Sequence, residues 1–275
     1  MIHRNYDPRR RIHSWSVILL TTLALGSDLA AQELITDRPD QTESAVTVPE
    51  GSWQIETGWT FTHDEEGAVT QETHEAPGTL LRIGLSARWE LRVGWAGIAQ
   101  AKSSTPVGAV KQEGIQDGDI GAKVRLWEER DRRPEAALLF GVSTPIGDSD
   151  FSSDRFDPSF RLSFSHTLTE NLSLGYNLGA AWSTNRDGLG NSETKSHLIY
   201  TLVLGRSISD RLGAFVESFG SLGGSAAGPP EHSLDGGLTL LISRLTQLDL
   251  AAGVGISSAA PDWFIGAGIS LRYPY

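Results

Sequence analysis

Twelve charged residues recur on one parity of short alternating segments: Glu56, Arg82, Glu90, Arg92, Asp119, Lys123, Arg125, Arg161, Glu217, Asp235, Asp249 and Arg272. Both signs are present. Such a set can pair into ladders that satisfy a filled interior. It can equally line a narrow passage and select what crosses it. A second group precedes these segments. Glu33–Gly51 holds Asp37, Arg38, Asp40 and Glu43 within a polar run stiffened by Pro39 and Pro49. It reads either as an unstructured leader or as a plug that folds against the charged segments, with Asp37 and Arg38 pairing to them.

Other chemistry finds little support. No Gly-x-Ser-x-Gly elbow occurs. His63, His74 and His232 fall in expected loops, and His166 and His197 sit on expected strands without an orienting triad. The chain is therefore read as no enzyme, with a barrel hydrolase as the remote alternative. With no cysteine, disulfide, thiolate and zinc-thiolate chemistry are excluded. Gly147-Asp-Ser-Asp150 with Asp154 and Asp157 lacks calcium-loop spacing and reads as a solvated acidic loop. Neither metal nor cofactor is expected.

The elements that must carry these charges alternate with period two. Trp53, Ile55, Thr57, Trp59 and Phe61 interleave with Gln54, Glu56, Gly58, Thr60 and Thr62, and Trp263 to Tyr273 repeats the pattern. That is the strand period. The chain divides into about twelve strands: 52–62, 78–86, 90–96, 118–126, 135–144, 158–168, 172–183, 197–208, 212–219, 233–242, 247–255 and 263–273. Five connections are short (87–89, 127–134, 169–171, 209–211, 243–246). Six are longer (63–77, 97–117, 145–157, 184–196, 220–232, 256–262). An up-and-down membrane barrel with both ends on one side needs that arrangement.

Aromatics fall at strand ends: Trp59, Phe61, Trp95, Phe160, Trp182 and Trp263 at one level, Trp53, Trp89 and Tyr273 at the other. Two such belts suit two bilayer interfaces. Trp127 has the wrong parity and is placed past its strand. The fold class expected is all-β: a transmembrane antiparallel up-and-down β-barrel of about twelve strands, both termini periplasmic. Ile265, Ile269, Leu250 and Leu174 are expected to face lipid. Twelve strands lie between a filled and an open lumen, so strand number does not decide passage.

Residues 1–31 read as a signal peptide: a basic start with Arg4, Arg9, Arg10 and Arg11, an apolar stretch from Trp15 to Leu25, and small residues Ala30 and Ala31. An uncleaved anchor is the alternative. Cleavage after Ala31 takes the formal charge from −11 to about −13, a poor match for nucleic acid. The domains expected are thus signal peptide 1–31, leader or plug 32–51 and barrel 52–275.

Three stretches carry a family resemblance: Thr36-Asp37-Arg38-Pro39 within Ile35–Ser44, Gly118-Asp119-Ile120-Gly121 running on to Arg125, and Gln247–Leu250 with Ala260–Phe264. Together they resemble a family of outer-membrane transporters labelled for the MetA pathway of phenol degradation. The resemblance implies a membrane barrel that passes small solutes, and its label points to aromatic or hydrophobic compounds. A sealed structural or adhesive barrel is the alternative. The last strand, with its terminal aromatics, also resembles the assembly signal of outer-membrane proteins. The partners expected are outer-membrane lipid, the barrel assembly machinery and a small-molecule solute.

Overall fold

The structure is a computed structural model. It describes residues 34–186, 192–223 and 228–274; the expected signal peptide and Tyr275 lie outside these. No helix occurs among the described residues. Fourteen strands form one sheet: β1 (Trp53–Glu66), β2 (Val69–Gly84), β3 (Trp89–Trp95), β4 (Ile98–Thr105), β5 (Gly108–Ile115), β6 (Gly118–Trp127), β7 (Glu135–Thr144), β8 (Pro158–Thr169), β9 (Leu172–Arg186), β10 (Ser192–Ser207), β11 (Leu212–Gly223), β12 (Glu231–Ser243), β13 (Thr246–Gly255) and β14 (Trp263–Tyr273). Every pairing is antiparallel, and β1 pairs with both β14 and β2, which closes the wall. Twelve strands make that wall, as expected. Closure satisfies every ladder in hydrocarbon, where an open edge has no water to bond.

The other two strands were expected as loop. β2 divides its pairing: Thr79–Gly84 bonds to β3, while Thr70–Ala76 bonds to β4. β4 and β5 are a hairpin standing on the long-loop end of the wall, turned by Pro106 and Val107. Its free edge meets loop 145–157, where Ile115 N–H donates to the Asp148 carboxylate and Asp148 N–H returns to the Ile115 carbonyl.

The loop expected at 63–77 is also strand, closed by a tight turn at Gly67 and Ala68. Gly67 takes φ +62°, the left-handed conformation that such hairpin turns require of their first central residue. β1, β2, β9 and β10 have 14, 16, 15 and 16 residues, against about 9–11 for a bilayer crossing. Their outer ends therefore continue past the membrane. His63, His74 and His232 accordingly sit on strands rather than in loops. His63 stacks on Trp263, and His74 on Trp59.

Trp127 is also corrected. It belongs to β6, and a register shift between Arg125 and Trp127 flips its parity. A β-bulge inserts one residue and so turns a side chain to the other face. Trp127 is thereby exposed; its indole N–H donates to the Pro134 carbonyl, and the Arg133 guanidinium lies 5.7 Å from its ring.

Burial decides between a soluble core and a membrane wall. The largest fully buried side chains are led by Arg82, Lys123, Gln54, Glu56 and Glu90, while Leu178 and Leu250 are each 59 % exposed. Polar groups fill the interior and leucines cover the outside, the reverse of a water-soluble sheet protein. Leu250 and Ile269 share the outward parity of their strands. Arginine in place of either should weaken insertion by about 2–4 kcal/mol if the site lies near the bilayer midplane. The midpoint of refolding into lipid vesicles measures this; an unchanged midpoint for both variants would place these side chains elsewhere.

Candidate functional site

The inner wall is built by parity. On β1 the even residues turn inward, so Gln54 and Glu56 are enclosed while Trp53 stays outside. The same rule turns Arg82 of β2, Glu90 and Arg92 of β3 and Lys123 of β6 toward one another, since β1, β2, β3 and β6 are consecutive in the wall. Arg82 and Lys123 are enclosed almost completely. Burying ions there requires partners.

Residues 34–51 supply them. The segment bonds to β1, β2, β3 and β6 and also to β8, β9, β10, β11 and β13. Contacts on strands right round the wall are made from inside it. Asp37 is the hub: its carboxylate lies 2.6 Å from Arg92, 3.0 Å from Lys123 and 3.1 Å from Arg82. Arg82 spans Glu56 at 2.9 Å and Glu90 at 2.8 Å, and donates to the Val46 and Ile35 carbonyls. Glu56 returns the contact by accepting the backbone N–H groups of Asp37 and Arg38. Glu43 takes the second arm of Arg92 at 2.7 Å. Ala45 packs on Ala137 and Leu139 in a small apolar cluster on this side.

The opposite half is held more thinly. Arg38 reaches Asp249 at 3.2 Å. Gln41 N–H and the Thr42 hydroxyl both donate to Glu217. Gln247 donates to Thr36, and Arg161 to the Gln41 carbonyl. The Arg38 Nε, one Asp249 oxygen and both Asp235 oxygens find no protein partner.

Two expected residues stand apart from the network, and a third joins it through a neutral side chain. Arg125 lies at the short-turn rim, donating to the Ala87 carbonyl and pairing with Glu128 and Glu135. Asp119 lines a cavity on the long-loop side of the barrel. Arg272 donates to Gln54. Uncharged wall partners were not singled out in the sequence reading: Gln54, Ser163, Asn177 and Thr201. Parity alone marks them, and it marks every other small polar residue on the strands equally.

Electrostatics divide the segment. Burial alone would raise the Asp37 carboxyl, but Arg82, then Lys123 and Arg92, outweigh it and hold it well below the usual carboxylate range. Asp40 goes the other way: burial and then the Glu217 carboxylate push it well up. Glu43 is raised as well, chiefly by burial, with Arg92 opposing.

Cavities lie on both sides of the segment. On the long-loop side lie cavities of about 710 Å³, lined in part by Arg92, Asp119 and Arg161, and about 350 Å³, lined in part by Arg161, Phe219 and Phe264. On the short-turn side lies one of about 360 Å³, lined by Arg38, Pro39 and Asp40 among others.

Comparison with known proteins fits this architecture. The family described as "Putative MetA-pathway of phenol degradation" matches residues 36–273. The COG4313 outer membrane channel from Pseudomonas putida F1 is 10 % identical with a TM-score of 0.66, covering 83 % of this chain and 98 % of that one. The transport unit of the autotransporter AIDA-I from Escherichia coli is 10 % identical with a TM-score of 0.53, covering 88 % and 93 %. The translocator domain of NalP from Neisseria meningitidis is 12 % identical with a TM-score of 0.53, covering 82 % and 90 %. These likenesses show the fold, a barrel of the outer-membrane kind. No curated protein matches the chain.

Two measurements probe the network. Arg82→Met strands Glu56 and Glu90 without their shared cation, and breaking a buried pair in this way costs about 3–5 kcal/mol. The unfolding midpoint in denaturant should fall accordingly. The second is pH. Raised groups such as Asp40 and Glu43 contribute stability that is present below the ordinary carboxylate pKa and lost as pH rises through their folded value. Asp37 is depressed, so its contribution is present above the ordinary value and lost only as pH falls through its low one. Protection of 34–51 from protease should therefore rise from neutral to mildly acid conditions, then collapse in strong acid. Asp40→Asn should flatten the rise; a steady decline from neutral downward contradicts the assignment.

Proposed function

We propose, starting from the fact that the chain belongs to the MetA-pathway phenol-degradation family, that it is an outer-membrane channel for small solutes. Its two ends would be periplasmic, and residues 32–51 would form a lumen plug that gates it. The reading is of a passive barrel rather than an enzyme. The P. putida neighbour is an outer membrane channel, and the family label makes aromatic or hydrophobic compounds the first solutes to try. The final strand, ending in Tyr273, would be the element read by the barrel assembly machinery.

The observation that carries the reading is the unequal hold on the segment. Asp37 and Glu43 sit among Arg82, Arg92 and Lys123, while Arg38 to Thr42 reach the far wall through Asp249, Glu217 and Thr201. Arg38 lines cavities on both sides, with Asp40 on the short-turn side and Gln41 on the long-loop side. Charge-assisted bonds to a triply contacted carboxylate are the stronger set. Release of the Arg38–Thr42 stretch would join the cavities while Asp37 keeps the segment tethered. Glu56, Glu90, Arg82, Arg92 and Lys123 then act as the anchor. Arg161, Glu217, Asp235, Asp249 and Asp119 face the route.

Conductance of the purified protein in planar bilayers tests this. The full chain should conduct weakly and a chain lacking 33–51 several-fold more. Arg38→Ala should be intermediate, because it frees the thin side only. Asp37→Ala should approach the deletion. Impermeability of both the full and the deleted forms would overturn the channel reading in favour of a sealed barrel.

A further inference from the structure

Arg161 of β8 turns inward, yet among the described residues its guanidinium pairs with no carboxylate and makes one hydrogen bond, to the Gln41 carbonyl at 3.1 Å. Its neighbours in register are Leu139 of β7 and Gly179 of β9, which carry no charge. The side chain is half-buried. A guanidinium presents five N–H donors in a planar fork. One is spent on Gln41, and the others find no acceptor among the described residues. The acids that share a cavity with it are engaged elsewhere. Glu43 is held by Arg92, Glu56 by Arg82, and Asp117 by the N–H groups of Gly147 and Ser153. Asp119 lies against Gly94 of β3.

Arg161 lines both cavities on the long-loop side. The smaller, of about 350 Å³, sets it beside an apolar patch of Ile199, Phe219, Ala260, Pro261 and Phe264. Phe264 meets Phe219 edge to face, centroids 6.1 Å apart at 65°. A Cβ built on Gly253 would overlap the Phe264 ring edge, so glycine at 253 lets that ring stand where it does. The pair presents carbon surface inside an otherwise polar lumen. The other charged residue on the cavity lining, Glu231, is exposed at the outer end of β12, where solvent screens it. An apolar enclosure with a few fixed polar groups is the usual form of a small-molecule site.

We propose that Arg161 and the Phe219–Phe264 pocket form a binding site for a small organic carboxylate with a ring-sized apolar body. The carboxylate takes the unspent edge of the guanidinium, whose fork matches it with two parallel charge-assisted N–H···O bonds. The apolar body lies against Phe219 and Phe264, where a further ring extends the aromatic pair. The Gln41 carbonyl holds the guanidinium from its other side, so segment 34–51 positions the arginine for its ligand. The site gives the solute of the proposed channel a charged head. It rests on the channel reading for the ligand's route, and on the geometry alone for its binding.

The test uses the full chain purified in a nonionic detergent, with phenylacetate as probe and phenylacetamide as the neutral control of the same shape. Saturation-transfer NMR titration reads binding, and heat-modifiable gel mobility confirms that each variant is a folded barrel. Phenylacetate should bind saturably, and phenylacetamide about tenfold more weakly. Arg161→Gln should weaken phenylacetate by about tenfold or more, equivalent to about 1.4 kcal/mol, and leave phenylacetamide unchanged. Arg161→Lys, which keeps the charge without the fork, should fall between the two. Phe264→Leu should weaken both ligands alike. Equal binding of the two ligands by the unaltered protein, phenylacetate affinity unchanged in Arg161→Gln, equal loss of both ligands in that variant, or no saturable binding each overturns the proposal and leaves Arg161 as a strut for Gln41. Conductance of the same samples separates the two readings: binding without conductance leaves the site standing and removes the channel, and conductance without binding does the reverse.

Discussion

Three cations turned inward from β2, β3 and β6 outnumber the two wall carboxylates beside them, Glu56 and Glu90, and Asp37 is the anion that touches all three. Its carboxylate lies within 2.6 to 3.1 Å of Arg92, Lys123 and Arg82. In water each of these contacts would be worth little; enclosed by a wall they are stronger, and their absence is costlier. The requirement follows from closure. Once β1 bonds to β14, inward side chains have only one another, water or the chain's own segment 34–51 as partners. The ion network and the path of that segment are therefore one arrangement rather than two.

The barrel was largely legible in the sequence because its wall meets two unlike solvents. Hydrocarbon outside and polar contents inside force strict alternation, as in Trp53 to Phe61 and Trp263 to Tyr273. Twelve wall strands follow from counting it. The signal fails where the strands leave the membrane. Thr70 to Ala76, Ile98 to Thr105 and Gly108 to Ile115 stand beyond the hydrocarbon, so no strict period is imposed and they read as loop. Trp127 failed for a different reason: a one-residue bulge changes parity without changing composition. The charged anchor was visible because charges at inward parity are conspicuous. Its neutral members, such as Gln54 and Asn177, were not, since an inward amide resembles any other polar residue until its partner is in place.

Burial of the charges sorts the candidate residues more finely than their sign. Arg82, Lys123, Glu56 and Glu90 are sealed and mutually neutralised. Asp235 and Asp249 are also enclosed, yet each keeps an oxygen without a protein partner. Arg125 carries the same charge as Arg82 and points inward by the same rule, but at the rim it meets the Ala87 carbonyl and two glutamates. Height along the barrel, which alternation does not encode, separates these roles.

The two halves of the segment's attachment also differ in how far along the chain they reach. Asp37 finds Glu56, Arg92 and Lys123 at separations of 19, 55 and 86 residues, whereas Thr42 and Arg38 reach Glu217 and Asp249 across 175 and 211. Contacts close in sequence close smaller loops and form at lower entropic cost. Loop-closure cost alone thus favours seating Asp37 among β1, β2, β3 and β6 over making the far-wall contacts of Thr42 and Arg38. The segment's two ends of contact differ in chain entropy as well as in charge, so the anchored half is also the half whose closure constrains the least chain.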